Sequence, residues 1–362
     1  MTWELAYGGI FLCALALAAA LTPLARWLSH RLGMLDEPTG DRKIHSTPMP
    51  LLGGVAVFLA FVGTIGIAAI LAWVGVGEWS GKITHGFGRR WLEVGGLIGG
   101  GFLMLLLGMI DDHRDLHAGV KLIGQVIIAT LVVVAGLRLK LFLPNPLLAG
   151  AVTVLWIVTI TNAMNFFDNM DGACTGVGLI ASVIFGVVAG LREQYLVCGL
   201  ALAFAGALLG FLFYNAHPAK IFLGDAGSHL VGYILAMLAI LPTYHKGGED
   251  TSLAVLIPLF VLALPLFDLC SVVWIRFREG RPVYRGDKRH LAHRLAALGI
   301  PARAVAAILY GLQTALGLTA ILLLWLPSVA ARIAIAQAAL VLVVIALLLS
   351  YAASHDKNSC LK

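Results

Sequence analysis

The chain has 362 residues, of which 60% are hydrophobic and 12% are charged, and its formal net charge is +6. Soluble domains carry about 25% charged residues, so this composition excludes a water-soluble globular protein and indicates a polytopic membrane protein. The apolar segments are continuous rather than alternating, which excludes a transmembrane β-barrel and predicts an all-α fold.

Eleven segments are candidate membrane helices, because a spanning helix needs about 20 apolar residues. The first is too long for the apolar core of a signal peptide and has no basic residue before it, so we interpret it as a membrane helix. The ninth contains Pro258 and Pro265, which predict a kink or a break. In chain order the segments lie near residues 4–26, 51–75, 92–110, 120–137, 146–163, 173–191, 195–214, 229–244, 252–275, 302–326 and 328–351.

The basic residues divide unequally between the two sets of loops that eleven spans define. With the N-terminus outside, the cytoplasmic set contains 17 of the 25 Lys and Arg residues. Cytoplasmic loops carry the excess of Lys and Arg in membrane proteins. The sequence therefore predicts an outside N-terminus and a cytoplasmic C-terminus.

Five polar loops fall on the cytoplasmic side of this topology, and they contain nearly all of the motifs that could carry chemistry. We refer to them as polar loops one to five: residues 36–54, 111–117, 162–176, 214–228 and 276–300. Basic residues in such loops have an ordinary interpretation as topology signals or contacts to anionic lipid headgroups. Acidic residues at helix ends are less easily explained in this way, and are functional candidates by default.

Polar loops one and two contain the first candidates. Lys43 and His45 lie in a loop rich in Pro and Gly, which taken alone is equally well explained as a basic turn region. Asp111, Asp112 and Asp115 directly follow an apolar run. Three acids within five residues at the end of a membrane helix are unusual for a simple polar loop.

Polar loop three contains four polar residues at intervals of three: Asn162, Asn165, Asp168 and Asp171. If the segment is helical, this spacing keeps the four side chains broadly on one face. Helix caps and turns explain one or two such residues, but not four in register without a nearby Lys or Arg. We therefore expect them to face a charged ligand.

Polar loops four and five contain the remaining candidates. Asp225 is followed by Ser228, which we expect to cap the next helix, and free amides at a helix N-terminus bind phosphate. His290, His293 and Arg294 form a basic cluster that could bind phosphate and titrate.

Carboxylates hold Mg²⁺, Mg²⁺ bridges phosphate oxygens, and basic side chains neutralise the remaining charge. Together the loops predict a site for a diphosphate substrate at the membrane surface.

Three motifs resemble those of the polyprenyl-phosphate N-acetylhexosamine-1-phosphate transferases, and they occur in the order typical of that family. The resemblance runs from Asp36 to Leu295 and so covers most of the chain. It is carried by D-D-x-x-D at 111–115, N-x-x-N-x-x-D-x-x-D-G at 162–172, and N-x-x-P-A-K-x-F-x-G-D-x-G-S at 215–228.

Two further features resemble the branch that transfers GlcNAc-1-phosphate to undecaprenyl phosphate. One is R-K-x-H-x-x-P-x-P-x-x-G-G at 42–54, and the other is the sequence HLAHRL at 290–295. The chain departs from the family pattern at Asn169, where a glycine is common, and at Ala292, where a histidine is common. The second departure removes one imidazole from the pocket.

The resemblance implies one transmembrane transferase domain, residues 1–362, in a bacterial inner membrane with its active site in the five polar loops and facing the cytoplasm. It implies transfer of GlcNAc-1-phosphate from UDP-GlcNAc to undecaprenyl phosphate, with release of UMP, as the first membrane step of a cell-envelope polysaccharide pathway. Its partners are a UDP-sugar, a polyprenyl phosphate lipid and the bilayer, with no nucleic acid, and it allows a homodimer.

The resemblance and the chemistry together assign roles to the candidates. Mg²⁺, for which Mn²⁺ could substitute, is the expected cofactor, and the expected ligands are Asp225 and Asp171. The catalytic candidates are Asp111, Asp112, Asp168, Asp171 and Lys43. The substrate-binding candidates are Asn165, Asn215, His45, His290, His293 and Arg294.

Two alternatives remain. A phospho-MurNAc-pentapeptide transferase would use a peptide-bearing sugar, although such enzymes typically carry three consecutive histidines in polar loop five. A transporter would also have broken helices and intramembrane acids, but those acids cluster near the bilayer midplane, whereas here they lie at helix ends.

Overall fold

The computed structural model describes residues 3–37, 48–75, 77, 80–139, 145–244, 252–282 and 289–359. It is almost entirely helical. A short antiparallel pair, β1 (Leu35–Asp36) and β2 (Met49–Pro50), lies on either side of residues 38–47. Lys43 and His45 are outside the described residues, so their predicted roles stay predictions.

The helices coincide with all eleven predicted segments and add short ones between them. They are α1 (Trp3–Leu32), α2 (Gly53–Trp73), α3 (Ser80–Arg89), α4 (Trp91–Arg114), α5 (Ala118–Val134), α6 (Pro146–Phe167), α7 (Ala173–Leu191), α8 (Tyr195–Asn215), α9 (Gly224–Ile240), α10 (Ile257–Val261), α11 (Ala263–Arg278), α12 (Leu291–Ala297), α13 (Ala302–Leu322) and α14 (Ser328–Ser359), with a 3₁₀ turn at Ser252–Leu256.

Eight of the helices in the described ranges are long and apolar enough to cross a membrane, and the bent pair that ends in α11 brings the number to nine. Helices α5 and α9 are apolar but have only 17 residues each. At 1.5 Å per residue they are about 26 Å long, slightly less than the hydrocarbon core of a bilayer. The protein is therefore a multi-pass helical membrane protein, and its described residues contain eight or nine candidate spans and two shorter apolar helices.

The predicted break in the ninth segment is confirmed. Leu253–Val261 and Ala263–Arg278 meet at an angle of 69°. Pro258 and Pro265 each lie in the first turn of their helix, where a missing backbone N–H costs no hydrogen bond. The two prolines thus begin new helices rather than distorting a continuous one.

Helix α9 is the centre of the bundle, and its side chains from Ala226 to Ile240 are all buried. It packs against α2, α4 and α6. Glycines permit the close approach: a Cβ on Gly108 of α4 would lie 2.4 Å from the Ala226 backbone, and one on Gly54 of α2 would lie 2.4 Å from Cα of Gly227. Because the sides of α9 contact other helices of the protein, its short length does not cause a hydrophobic mismatch with the lipid.

Candidate active site

The structure brings the five polar loops together at one end of the bundle. The amides of Gly53 and Gly54 donate to the carbonyls of Phe222 and Leu223 at 3.2 and 3.1 Å, which joins loops one and four. Loops two and three contact the start of α9, and loop five contacts loop three, through the side chains described below. The described parts of these distant loops therefore lie together at one end of the bundle, as predicted, and the side of the membrane on which they lie stays a prediction.

Lys121 is the centre of an ionic cluster that the sequence analysis did not identify. Its Nζ atom lies 2.8 Å from Oδ2 of Asp225 and also forms an ion pair with Oδ2 of Asp111. Asp111 is buried, and its Oδ1 accepts a hydrogen bond from the Leu116 amide at 2.9 Å. A lysine in the first turn of an apolar helix is unfavourable with respect to the helix dipole, and this was the signal available in the sequence.

Asp112 caps a helix that begins 112 residues later in the chain. Its two carboxylate oxygens accept hydrogen bonds from the backbone amides of Asp225 and Ala226 at 2.8 and 3.1 Å. A carboxylate at a helix N-terminus is stabilised by the unpaired amides and by the helix dipole. These amides are therefore used by Asp112, and the expectation that they are free to bind phosphate is wrong.

Ser228 does not cap α9, because the helix begins four residues earlier at Gly224. Its hydroxyl instead lies beside Asp225 and Asn165. The Asn165 amide donates to Oδ1 of Asp225 at 2.6 Å and to Oγ of Ser228 at 2.9 Å. Asn165 thus fixes the Asp225 carboxylate from the opposite side to Lys121.

Polar loop three is only partly helical. Helix α6 ends at Phe167, so Asn162 and Asn165 lie on the helix, whereas Asp168 is its C-cap and Asp171 lies in the turn before α7. The turn is closed by Gly172, whose φ of 72° is in the left-handed region that favours glycine. The four polar residues therefore do not share one helix face.

Asp168 has an unusual electrostatic environment. Burial, together with the nearby carboxylates of Asp225, Asp112 and Asp171, holds the pKa of Asp168 well above its usual range. Its carboxylate accepts no hydrogen bond from any residue in the described part of the chain. The cluster therefore has more negative charge than Lys121 neutralises, and it would be stabilised by a bound cation.

Asp171 and Asn215 both shape polar loop four. Oδ2 of Asp171 lies 2.8 Å from Nδ1 of His217 and accepts a hydrogen bond from the Ala219 amide at 3.1 Å. The buried Asn215 side chain accepts from Thr175 at 2.7 Å and donates to the Ile221 carbonyl at 3.0 Å. Direct substrate binding by Asn215 stays a prediction, since both ends of its amide already have protein partners.

Asn162 belongs to a buried polar network below the cluster. Its Nδ2 donates to the Val158 carbonyl at 2.8 Å and to Oε1 of Gln125 at 2.5 Å. The Nε2 atom of Gln125 lies 3.2 Å from Nε2 of His229. The network links α5, α6 and α9, the three helices that carry Lys121, Asn165 and Asp225.

Polar loop five meets polar loop three at an aromatic contact. The His290 ring packs edge-on against Phe166, with 5.8 Å between ring centroids, and the Arg276 guanidinium lies 5.3 Å from the centroid of Phe166. The His293 ring is 6.4 Å from that of His290. Burial lowers the pKa of Arg294 and the nearby Asp268 partly offsets this. His290, His293 and Arg294 therefore lie together beside the segment that carries Asn165 and Asp168.

The donor atoms of the cluster suit Mg²⁺ better than a metal that needs a closed protein cage. Among the described residues no three His, Cys, Asp or Glu side chains converge as such a cage would require. Mg²⁺ is usually held by one or two carboxylates, with water and substrate phosphates completing its coordination. The incompletely neutralised carboxylates around Asp168 and Asp225 fit that requirement.

The fold and the site define a class of protein. It is a multi-pass membrane protein with an acidic cluster at one end of its helix bundle, and a lysine forms ion pairs with two acids of that cluster. Residues 94–243 match Glycosyl transferase family 4. The chain is also 33% identical over 321 residues to the "Probable undecaprenyl-phosphate N-acetylglucosaminyl 1-phosphate transferase" of Bacillus subtilis, a similarity that covers 86% of this chain and 84% of the relative. The chain belongs to glycosyl transferase family 4.

Two further relatives show how widely the similarity extends. The "Decaprenyl-phosphate N-acetylglucosaminephosphotransferase" of Mycobacterium tuberculosis is 33% identical over 311 residues, covering 79% of this chain and 74% of the relative. The "Undecaprenyl-phosphate alpha-N-acetylglucosaminyl 1-phosphate transferase" of Salmonella typhi is 27% identical over 293 residues, covering 77% and 74%. The family suggested by the sequence motifs is therefore confirmed.

Proposed function

We propose that the protein transfers GlcNAc-1-phosphate from UDP-GlcNAc to a polyprenyl phosphate, giving polyprenyl-diphospho-GlcNAc and UMP. The observation that carries this proposal is the convergence of Asp111, Asp168 and Asp225 around Lys121 and Asn165 at one end of the helix bundle. The names of the relatives support the sugar and the lipid acceptor. Their names also favour this reaction over transfer of a peptide-bearing sugar.

The reaction joins two anions. An oxygen of the lipid phosphate attacks the sugar-bearing phosphorus of UDP-GlcNAc, the bond to the UMP oxygen breaks, and UMP leaves with the electron pair. Phosphate monoesters have a second pKa near 6, so the attacking oxygen is already deprotonated at neutral pH and a strong base is not required. The main task of the site is to offset charge repulsion and to align the two substrates.

We assign each of these tasks to particular residues that the structure describes. Lys121 supplies a fixed positive charge between Asp111 and Asp225, and Asn165 fixes the orientation of the Asp225 carboxylate. Asp225, with Asp171 or Asp168, would hold Mg²⁺, which when bound would neutralise diphosphate charge and polarise the bond to UMP. Asp112 contributes by anchoring the start of α9. His290, His293 and Arg294 lie where they could reach the sugar and its phosphate.

The orientation is part of the proposal. Eleven spans, an outside N-terminus and a cytoplasmic C-terminus would place the acidic cluster on the side where UDP-sugars are made, and the division of Lys and Arg residues, 17 to 8, supports this. The bent segment that ends in α11 exposes Leu259, Trp274 and Phe277, and it would provide an apolar surface for the polyprenyl chain.

The experiment that tests the proposed function is a reconstituted transfer assay. The purified full chain is incubated with polyprenyl phosphate, Mg²⁺ and one UDP-sugar at a time, and UMP release and the lipid product are measured. We expect both products with UDP-GlcNAc and neither when the lipid phosphate is omitted. Release of UMP without any lipid product would contradict a transferase.

A further inference from the structure

Asp268 is a fully buried carboxylate in an apolar helix, and the ionic cluster around Lys121 does not include it. Its exposed fraction is 0%, and it lies within the sequence ALPLFDLCSVVWIRFR of α11. A carboxylate buried in this way is costly unless its oxygens are paired, and ionisable residues in membrane helices usually have a function.

Both oxygens of Asp268 are paired with the beginning of α12. Oδ2 lies 2.8 Å from Nδ1 of His290, and Oδ1 accepts a hydrogen bond from the Leu291 amide at 2.6 Å. An ionised carboxylate can only accept hydrogen bonds. With Asp268 ionised, the contact at 2.8 Å places the proton on Nδ1 of His290.

The same contacts fix the position of the His290 ring. The ring is enclosed, with 5% exposure for the residue, and Phe166 packs against it edge-on. Phe166 follows Asn165 directly in the chain, so the ring is held beside polar loop three. Nε2 of His290 has no hydrogen-bond partner among the residues that the structure describes, so it is the ring nitrogen left to meet a ligand.

We propose that Asp268 is a positioning residue, which holds His290 in the Nδ1–H form so that Nε2 faces the bound sugar nucleotide. This inference rests on the proposed function and deepens it, because it assigns one atom of polar loop five to contact with substrate. In this arrangement a carboxylate sets the tautomer of a histidine. In other sites of this kind, replacing the acid by its amide keeps the geometry but reverses the tautomer.

Asp268→Asn is the sharpest test. The amide oxygen can still accept from the Leu291 amide, so its NH₂ group faces Nδ1 of His290 and the ring proton moves to Nε2. Histidine ¹⁵N NMR of the full chain in detergent reports this directly, with the His290 signals identified by their loss in His290→Gln. We expect Nδ1–H in the wild type and Nε2–H in Asp268→Asn. An unchanged tautomer would overturn the proposal.

Kinetics provide the second test. We expect Asp268→Asn to lower kcat for UMP release at least tenfold, while KM for UDP-GlcNAc changes less than about threefold. Because Asp268 acts through His290, the double variant with His290→Gln should be within about threefold of His290→Gln alone. A further tenfold loss in the double variant would show that Asp268 supports the fold or acts elsewhere.

Two variants complete the design. Ser271→Ala removes a hydroxyl that donates to the Asp268 carbonyl on the same helix, and as the control it should leave the His290 tautomer unchanged. Asp268→Glu retains a carboxylate, so it should keep Nδ1–H even if Asp268→Asn does not fold, and an Nε2–H form in it would overturn the proposal. The NMR readout does not depend on turnover, so a wild type without transferase activity would refute the proposed function and leave the tautomer test intact.

Discussion

Nζ of Lys121 lies 2.8 Å from Oδ2 of Asp225, although 104 positions separate the two residues in the chain. The same Nζ also pairs with Asp111. One lysine thus neutralises two acids from two other helices, in a cluster whose described residues include more carboxylates than cations. Lys121 is therefore predicted to be required for both the charge balance of the site and the binding of an anionic substrate.

Lys121→Met should lower UMP release at least 100-fold. The change leaves Asp111 and Asp225 without their cation, and unpaired buried charges are costly, so we also expect a lower apparent melting temperature. Arg332→Met is the matched control, because Arg332 is exposed on α14, and it should retain near wild-type turnover. Comparable activity in Lys121→Met and Arg332→Met would show that Lys121 is not required for the reaction.

Asp225→Asn tests the metal. The change keeps an acceptor for Asn165 but removes the charge that would bind Mg²⁺, so turnover should be lost while the protein still elutes as a folded species. Excess EDTA should silence the wild type, and added Mg²⁺ should restore it. Mg²⁺ should also raise the apparent melting temperature of the wild type but not of Asp225→Asn, since only a bound ligand stabilises the folded state. Full activity in excess EDTA would contradict the role of the metal.

Asp168→Asn should lower the transferase activity without lowering the stability of the folded protein. The pKa of Asp168 is raised in the folded protein, whereas in the unfolded chain it ionises near pH 4. The contribution of Asp168 to the free energy of unfolding therefore decreases as the pH rises above about 4, and it stops changing once the carboxyl of the folded protein is also ionised. Asn mimics the protonated acid and avoids this loss.

In the absence of Mg²⁺, the apparent melting temperature of Asp168→Asn should accordingly equal or exceed that of the wild type at pH 8. The difference should shrink towards pH 4, and the variant should have little transferase activity at either pH. A variant several degrees less stable than the wild type at pH 8 would show that the Asp168 carboxylate stabilises the fold.

The orientation can be tested with single cysteines in a variant that lacks the five native ones. Arg281→Cys lies just beyond α11 at the end with the acidic cluster, and Val74→Cys lies at the opposite end, after α2; both native side chains are exposed. In intact cells a membrane-impermeant thiol reagent should label Val74→Cys and not Arg281→Cys. The reverse pattern would invert the topology and place the cluster outside the cell.

Much of the fold was predictable from the sequence because length and apolarity alone define membrane helices. All eleven predicted segments coincide with helices or with the bent pair, and Pro258 and Pro265 correctly indicated the break. Helix ends were less predictable. The sequence placed Ser228 as a cap, but α9 begins earlier because its first amides are satisfied by Asp112, a residue that is distant in the chain.

The candidate site was predictable where its residues form dense polar motifs and not where a single polar residue lies in an apolar helix. Asp111, Asn165 and Asp225 were predicted and do lie together. Lys121 and Asp268 were not singled out, since each is isolated among apolar neighbours and its partners lie on other helices. Their isolation was nevertheless a signal, because a lone charge in a membrane helix needs a partner.

The most direct test of the proposed function is competition between UDP-GlcNAc and UDP-MurNAc-pentapeptide, supplied at equal concentration to the purified protein with polyprenyl phosphate and Mg²⁺. Mass spectrometry of the lipid products reports which sugar phosphate was transferred. We predict polyprenyl-diphospho-GlcNAc as the dominant product. Preferential formation of the peptide-bearing lipid would contradict the assignment of the substrate, and the absence of both lipids with an intact, folded protein would contradict the assignment of the reaction.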